Sequence, residues 1–170
     1  NKIETIISFL ACAKNGIIWS SCSPDFGVQG VVDRFKQIEP KVLITSDYYF
    51  YNGKKINILD KVDEVLKQIP SIEKVIVYNY YKKEKENLKN FIDFEETLNI
   101  ESDESFERFE FNHPIYILFS SGTTGKPKCI THGTGNVLIE HNKEFMLHCD
   151  IRDNEKLFYY TTTGWMMWNW

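Results

Sequence analysis

FSSGTTGKPKCITHG, residues 119–133, sets three glycines and two lysines among hydroxyl side chains, directly behind the apolar run IYILF of residues 115–119. IYILF reads as a strand, and CITH, residues 129–132, reads as a strand resuming after the loop. A glycine cluster at a strand end invites comparison with the G-x-x-x-x-G-K-[ST] phosphate loop. Gly122 and Gly125 are separated by two residues rather than four, and Lys126 is followed by Pro127 rather than by a hydroxyl. That motif also opens a helix, whereas a strand is expected here, so the ordinary P-loop nucleotide-hydrolase fold is disfavoured. Phosphate binding itself has looser requirements. Gly122 and Gly125 can turn successive backbone N–H groups toward one concavity. Ser120, Ser121, Thr123 and Thr124 add hydroxyl donors, and Lys126 and Lys128 add positive charge. Hydrogen bonds to charged groups contribute about 1.5–3 kcal/mol each, so several together can clamp a polyphosphate. A plain polar turn between two strands would use the same residue types, and composition alone does not separate the two readings.

Outward from the loop, the chain alternates helix and strand patterns. Ile3, Ile6, Ile7 and Leu10 form the stripe of an amphipathic helix, with Gly16 where that helix stops. IIWSS, residues 17–21, reads as a strand. Ser23-Pro24-Asp25 starts a second helix striped by Val28, Val31, Val32, Phe35 and Ile38 and ended by Pro40, and KVLIT follows as a strand. A strand, helix and strand in close succession predict a right-handed parallel crossover. Asn52-Gly53, between residues of high strand propensity, predicts a type I′ hairpin turn. Leu59, Val62, Leu66 and Ile69 stripe a further helix ending at Pro70, and KVIVY is the next strand. From Asn79 to Asn112 the pattern dissolves into charged sequence, with a helical turn or two at FIDFEETL, and is expected to be a solvated excursion. Beyond the loop, residues 137–149 read as a helix and LFYYTT, residues 157–162, as one more strand. The expectation is an α/β fold, a layered, largely parallel sheet flanked by helices.

The 170 residues are 42% hydrophobic and 15% aromatic, a globular composition. A chain of this length buries about two-thirds of its unfolded surface. The net charge of −4 is local, because residues 101–110 hold five acids and one Arg and leave nineteen of each sign elsewhere. Neither nucleic acid nor an anionic membrane is expected as a partner. No apolar run is long enough to span a bilayer, and no secretory signal precedes the first helix. Cys12, Cys22, Cys129 and Cys149 show no C-x-x-C spacing and read as reduced thiols of a cytosolic protein. His132 and His141 lie nine residues apart, His141 and His148 seven, so neither pair has the i, i+4 spacing of a zinc site, and no metal-binding residue is expected. His132 lies near enough to the loop to reach a nucleotide, although a structural hydrogen bond serves it equally. Asp33 and Arg34 fall on the exposed face of their helix and read as surface or packing residues.

Ser120-Ser-Gly-Thr-Thr-Gly-Lys-Pro-Lys128 resembles the phosphate loop of the adenylate-forming superfamily, which includes acyl-CoA synthetases, firefly luciferase and the adenylation domains of peptide synthetases. Three further stretches extend the likeness along the chain: Ile18–Gly27 (IWSSCSPDFG), Val31–Pro40 (VVDRFKQIEP) and Tyr160–Trp170 (YTTTGWMMWNW). With Tyr51–Lys54 and Leu147-His148 they resemble the acetoacetate-activating branch of that superfamily rather than the acetate-activating one. The resemblance implies a two-step ligase. The carboxylate of acetoacetate attacks the α-phosphate of ATP, with Mg²⁺ as cofactor, and expels pyrophosphate; the thiol of CoA then displaces AMP. Such chemistry serves ketone-body use and lipid synthesis, and it needs no protein nucleophile. It asks a site for positioning and charge neutralisation.

By position in the motif, the resemblance places Thr123, Thr124 and Gly125 along the triphosphate. It places Lys128 near the β- and γ-groups with Lys126 beside it, and gives Ser120, Ser121 and Gly122 the shaping of the loop. Trp165, Met166 and Met167 match a segment that lines the acyl pocket in related enzymes, although core packing explains such a cluster as well. Residues 1–170 are then expected to be an internal piece of the large N-terminal, AMP-binding domain, without the small C-terminal domain. The family's adenine, ribose and Mg²⁺ residues and its catalytic lysine would lie outside them, and the piece alone is expected to be inert. Activation of acetate or propionate, or a non-catalytic nucleotide-binding module, are the competing readings.

Overall fold

The computed structural model describes residues 1–80, 91–120 and 125–169. Along the chain run α1 (Ile3–Lys14), α2 (Val28–Phe35), β1 (Val42–Ser46), β2 (Tyr48–Tyr51), β3 (Lys54–Asn57), α3 (Leu59–Gln68) and β4 (Lys74–Tyr78). There follow β5 (Phe91–Asp93), α4 (Phe94–Thr97), β6 (Pro114–Ser120), β7 (Lys128–Gly133) and α5 (Thr134–Lys143). A π-helical turn, Glu144–His148, and a 3₁₀ turn, Met166–Trp168, come last. The elements gather into two compact units, Pro24–Glu104 and Asn1–Ser23 with Ser105–Trp170.

In the Pro24–Glu104 unit, a parallel sheet of order β1-β4-β5 carries the core. Val42 pairs with Lys74 and Ser46 with Tyr78, and Val75 pairs with Phe91 on the other side. Val75 and Val77, each 1% exposed, alternate along β4 and meet Leu59 and Val62 of α3, with Leu43, Leu66, Ile72 and Phe91 packed around them. Full burial of such a side chain is worth about 1.5–3 kcal/mol, and this cluster is what fixes α3 on the sheet. The hairpin forms as expected: Asn52 and Gly53 both take positive φ, +47° and +71°, the type I′ geometry. Asp47, buried at the end of β1, accepts the backbone N–H groups of Tyr48 at 2.8 Å and Tyr80 at 2.7 Å. Arg34 stacks 4.4 Å over the Phe26 ring, a packing role that fits the expectation for its helix face.

Two expectations fail in this unit. The crossover drawn from IIWSS through α2 to KVLIT does not exist, because KVLIT is β1 and its parallel partner is β4. The crossover therefore runs from β1 through the hairpin and α3. Residues 79–112 are also not wholly a solvated excursion, since Phe91–Asp93 add the third strand and Phe94 is buried. Asp93 caps the short α4 by accepting from Glu95 N–H. Ten of the residues between β4 and β5, 81–90, lie outside the described residues.

In the other unit, β6 and β7 pair antiparallel from Ser120↔Lys128 to Pro114↔Gly133, whereas the sheet of the first unit is parallel. IIWSS is not a strand but contributes one parallel bridge, Trp19 to Tyr116, with Trp19 N–H on the Ile115 carbonyl and Ile117 N–H on the Trp19 carbonyl, both at 2.9 Å. The Ser20 hydroxyl then donates to the Ile117 carbonyl at 2.8 Å. A continuing ladder would use that acceptor for a backbone N–H, and a side chain competes for it here. Tyr116, 0% exposed, is the centre of packing, and Phe9 of α1 reaches it at 6.2 Å, Trp19 at 5.9 Å and Trp168 at 6.3 Å between ring centroids. Gly16 ends α1 at φ +64°, where a Cβ would lie 2.3 Å from the Phe109 ring.

The helix that sequence periodicity placed at residues 3–10 exists, but its stripe faces outward. Ile3, Ile6, Ile7 and Leu10 are exposed, while Ser8 and Phe9 turn inward. Periodicity finds an apolar face and does not say which body covers it, and a helix apolar all round is one built to be enclosed. LFYYTT likewise forms no strand: no described strand lies beside it, and Phe158 is 85% exposed. The helix expected over 137–149 begins earlier, at Thr134, whose N–H and hydroxyl both donate to the His113 carbonyl at 2.8 Å, and turns π-helical from Glu144.

Candidate functional site: the loop between β6 and β7

The register carries the pairing of β6 and β7 up to Ser120 and Lys128, so Ser121–Pro127 form the connection between them. Directly opposed residues of an antiparallel pair present their side chains on one face. The loop's first hydroxyl and its second lysine are thereby brought together at its mouth. Ser121, Gly122, Thr123 and Thr124 lie outside the described residues. On the far side of the connection Gly125, Lys126 and Lys128 are exposed. A Cβ built on Gly125 meets nothing within 4 Å, so no neighbour among the described residues demands a glycine there. Among the described residues neither lysine has an ion-pair partner. The loop leads into β7, a strand, which agrees with the exclusion of a helix-opening phosphate loop.

Trp165, Met166 and Met167 do not serve as core. Trp165 is 60% and Met167 44% exposed, with Met166 half-buried between them. Packing falls instead to Trp168, which faces Phe9 and gives its indole N–H to Asn1 Oδ1 at 2.9 Å. The turn closes locally, with Trp165 N–H on the Thr162 carbonyl at 3.0 Å and Gly164 N–H on Thr162 Oγ1 at 3.2 Å.

A run of hydroxyls joins this turn to the strand that enters the loop. Ser20 is bonded to Ile117 of β6, and its neighbour Ser21 donates from Oγ to the Thr163 carbonyl at 2.9 Å. Thr163 Oγ1 returns a bond to the Cys22 carbonyl at 3.3 Å, and Thr162 Oγ1 lies 3.4 Å from Ser23 Oγ. Residues 20–23 thus tie β6 to residues 162–163. No spacing rule announces this tie; its only signal in the sequence is the density of short hydroxyl side chains in Ser20, Ser21 and Ser23.

The remaining titratable groups are structural. His132 sits half-buried on β7 with its ring 5.0 Å from Tyr116, and burial lowers its pKa below the ordinary histidine value, which favours the neutral imidazole. His113 donates from Nε2 to the Gly16 carbonyl at 2.9 Å and stacks on Phe109. His148 pairs with Glu144 at 2.7 Å on the exposed π-turn. None of the four cysteines is in a disulfide, and burial pushes the thiol pKa of Cys12 up, away from a reactive thiolate. Among the described residues no three His, Cys, Asp or Glu side chains gather to hold a metal ion, and no helix is long and apolar enough to cross a membrane. What the arrangement offers is donors, two cations and open backbone, the means to bind and orient an anion.

A family profile described as "AMP-binding enzyme" matches residues 1–168. The chain is 49% identical to the acetoacetyl-coenzyme A synthetase of Rhizobium meliloti (strain 1021), covering 100% of this chain and 27% of that protein. It is 44% identical to the acetoacetyl-CoA synthetase of Gallus gallus, with the same coverage of each. The solved structure of acetoacetyl-CoA synthetase from Streptomyces lividans superposes with a TM-score of 0.93 at 41% identity, over 99% of this chain and 26% of that one. The chain therefore spans about a quarter of the length of the relatives it matches, at 27% of each of the two named. With the α/β architecture shared and the family profile matched almost end to end, this chain belongs to the AMP-binding enzyme family.

Proposed function

We propose that the protein to which these residues belong is an acid–thiol ligase that activates acetoacetate with ATP through an acyl-adenylate and transfers the acyl group to CoA, releasing AMP and pyrophosphate. One observation carries the pairing of an acid with a nucleotide. The strand entering the loop is bonded through Ser20 and Ser21 to the turn that bears Trp165 and Met167, so both candidate subsites belong to one compact unit. The choice of acid rests on the likeness to acetoacetyl-CoA synthetases along the chain.

In this reading the loop binds the triphosphate. Ser120 and Ser121 donate hydroxyls, Gly122 and Gly125 leave backbone N–H groups bare, and Thr123 and Thr124 line the phosphate chain. Lys126 and Lys128 offset the charge that grows on the departing pyrophosphate. Trp165, Met166 and Met167 bound the acyl site, where bulky side chains limit the acid to a short one. The adenylation step is an attack by the acid's own carboxylate, and the chain's part is to hold two anions together against their repulsion. Mg²⁺ would accompany the nucleotide through phosphate oxygens and water. Among the described residues no three His, Cys, Asp or Glu side chains gather to hold it. Residues 1–170 fall within a large N-terminal domain, a separate small domain completes the enzyme, and the cytosol is its compartment.

The test is ATP–pyrophosphate exchange by the full-length protein with acetoacetate, acetate and propionate in turn. Exchange fastest with acetoacetate supports the reading; faster exchange with acetate or propionate, or none with any acid, contradicts it.

A further inference from the structure

Asn169 follows the 3₁₀ turn and donates its backbone N–H to the Met166 carbonyl at 2.9 Å. It is 7% exposed, yet among the described residues neither Oδ1 nor Nδ2 has a hydrogen-bond partner. A primary amide carries two donors and an acceptor, and burying them unpaired costs far more than burying an apolar group of the same size. The indole N–H of neighbouring Trp168 is already engaged with Asn1, while the buried Asn169 amide is left unengaged among the described residues. We propose that Asn169 recognises the ketone oxygen of a β-keto acid and is a specificity determinant of the acyl site; this rests on the acid-activating reading above.

The chemistry narrows the ligand. The carboxylate of the acid is committed to its attack on the α-phosphate. A small β-keto acid has one further polar atom, the ketone oxygen, which only accepts. An amide N–H satisfies it. A saturated acid of the same length sets a methylene against the amide and leaves it unpaired, and a buried polar group rejects an analogue in that way. In the same turn Trp165, Met166 and Met167 offer bulk and apolar surface, and of their side chains only the Trp165 indole carries a neutral donor.

The experiment uses the full-length protein with Asn169→Leu, which keeps volume and removes polarity, and Asn169→Asp, which keeps size and removes the donors. Pyrophosphate release is measured with acetoacetate and with butyrate, and melting temperature alongside. Asn169→Leu is expected to lower kcat/KM for acetoacetate about 10- to 100-fold while that for butyrate stays within about threefold. It is expected not to lower the melting temperature, because an unpaired buried amide has been removed. Asn169→Asp is expected to lose acetoacetate activity at least as far. Equal losses for both acids, a melting temperature lowered by Asn169→Leu, or acetoacetate activity kept by Asn169→Asp would each overturn the proposal, by showing that the amide's partner is protein or that no donor is needed. If the unsubstituted protein activates neither acid, the functional reading falls and this proposal with it. That result appears before any substitution is made, so the two failures are distinct.

Discussion

Residues 24–104 close their apolar stripes on one another, while the unit that carries the loop leaves its own open. In the first, α3 lays Leu59 and Val62 on Val75 and Val77, and the sheet alternation meets the helix stripe without a large apolar residue left over in that cluster. In the second, Ile3, Ile6, Ile7 and Leu10 of α1, Leu138 and Ile139 of α5, and Leu157 to Tyr160 all face outward. Large apolar side chains exposed in that number are unusual on a solvated face.

The largest expected effect sharpens this contrast. Leu59→Ala should destabilise the chain by about 2–5 kcal/mol, the usual result of emptying a packed core site. Leu10→Ala, on the open face of α1, should change it by less than about 0.5 kcal/mol in residues 1–170 alone. Urea denaturation of both variants reads this directly, and equal losses would break the distinction. The second effect separates chemistry from stability. In the full-length protein Lys128→Ala should lower kcat/KM for ATP by up to about 3 kcal/mol in transition-state terms, with no change in melting temperature. Unaltered adenylation kinetics would remove Lys128 from the site. A third, smaller effect belongs to the closed unit. Gly53→Ala at φ +71° should cost about 1–2 kcal/mol, since a side chain in the left-handed region strains the turn.

The smallest concerns pH in the open unit. Burial lowers the His132 pKa, so the folded state resists a proton that the unfolded chain accepts. The stability contribution is whole above the ordinary histidine value of 6.5 and is lost as pH falls from there through the lowered folded value. Replacing His132 by Phe should flatten that acid limb of the stability curve; an unchanged slope would show that the ring is not the group responsible.

Legibility followed the same division. α3, β1, β4 and the Asn52-Gly53 turn could be read from spacing alone, because each is specified by its own residues and by neighbours close in the chain. The loop was legible for the same reason, its strand before, glycines within and strand after being local facts. What could not be read was partnership. Trp19 pairs with Tyr116 rather than with β1, although IIWSS and KVLIT look alike as strands. Phe91–Asp93 are too short to announce a strand before β4 offers them an edge. LFYYTT has strand composition without a ladder, and α1 has two apolar faces of which periodicity marked the uncovered one. The roles of Ser20 and Ser21 were hidden because hydroxyls that bond a distant backbone carbonyl have no spacing rule.

The central claim is that residues 120–128 hold a nucleotide's phosphates beside an acid bounded by Trp165 and Met167. A crystal structure of the full-length protein with ATP and a non-reacting acid tests it most directly. The account predicts phosphate oxygens within hydrogen-bond reach of the backbone between Ser120 and Lys128 and of the Lys128 ammonium, with the acid against Trp165. A triphosphate bound elsewhere, with that loop empty, would contradict it.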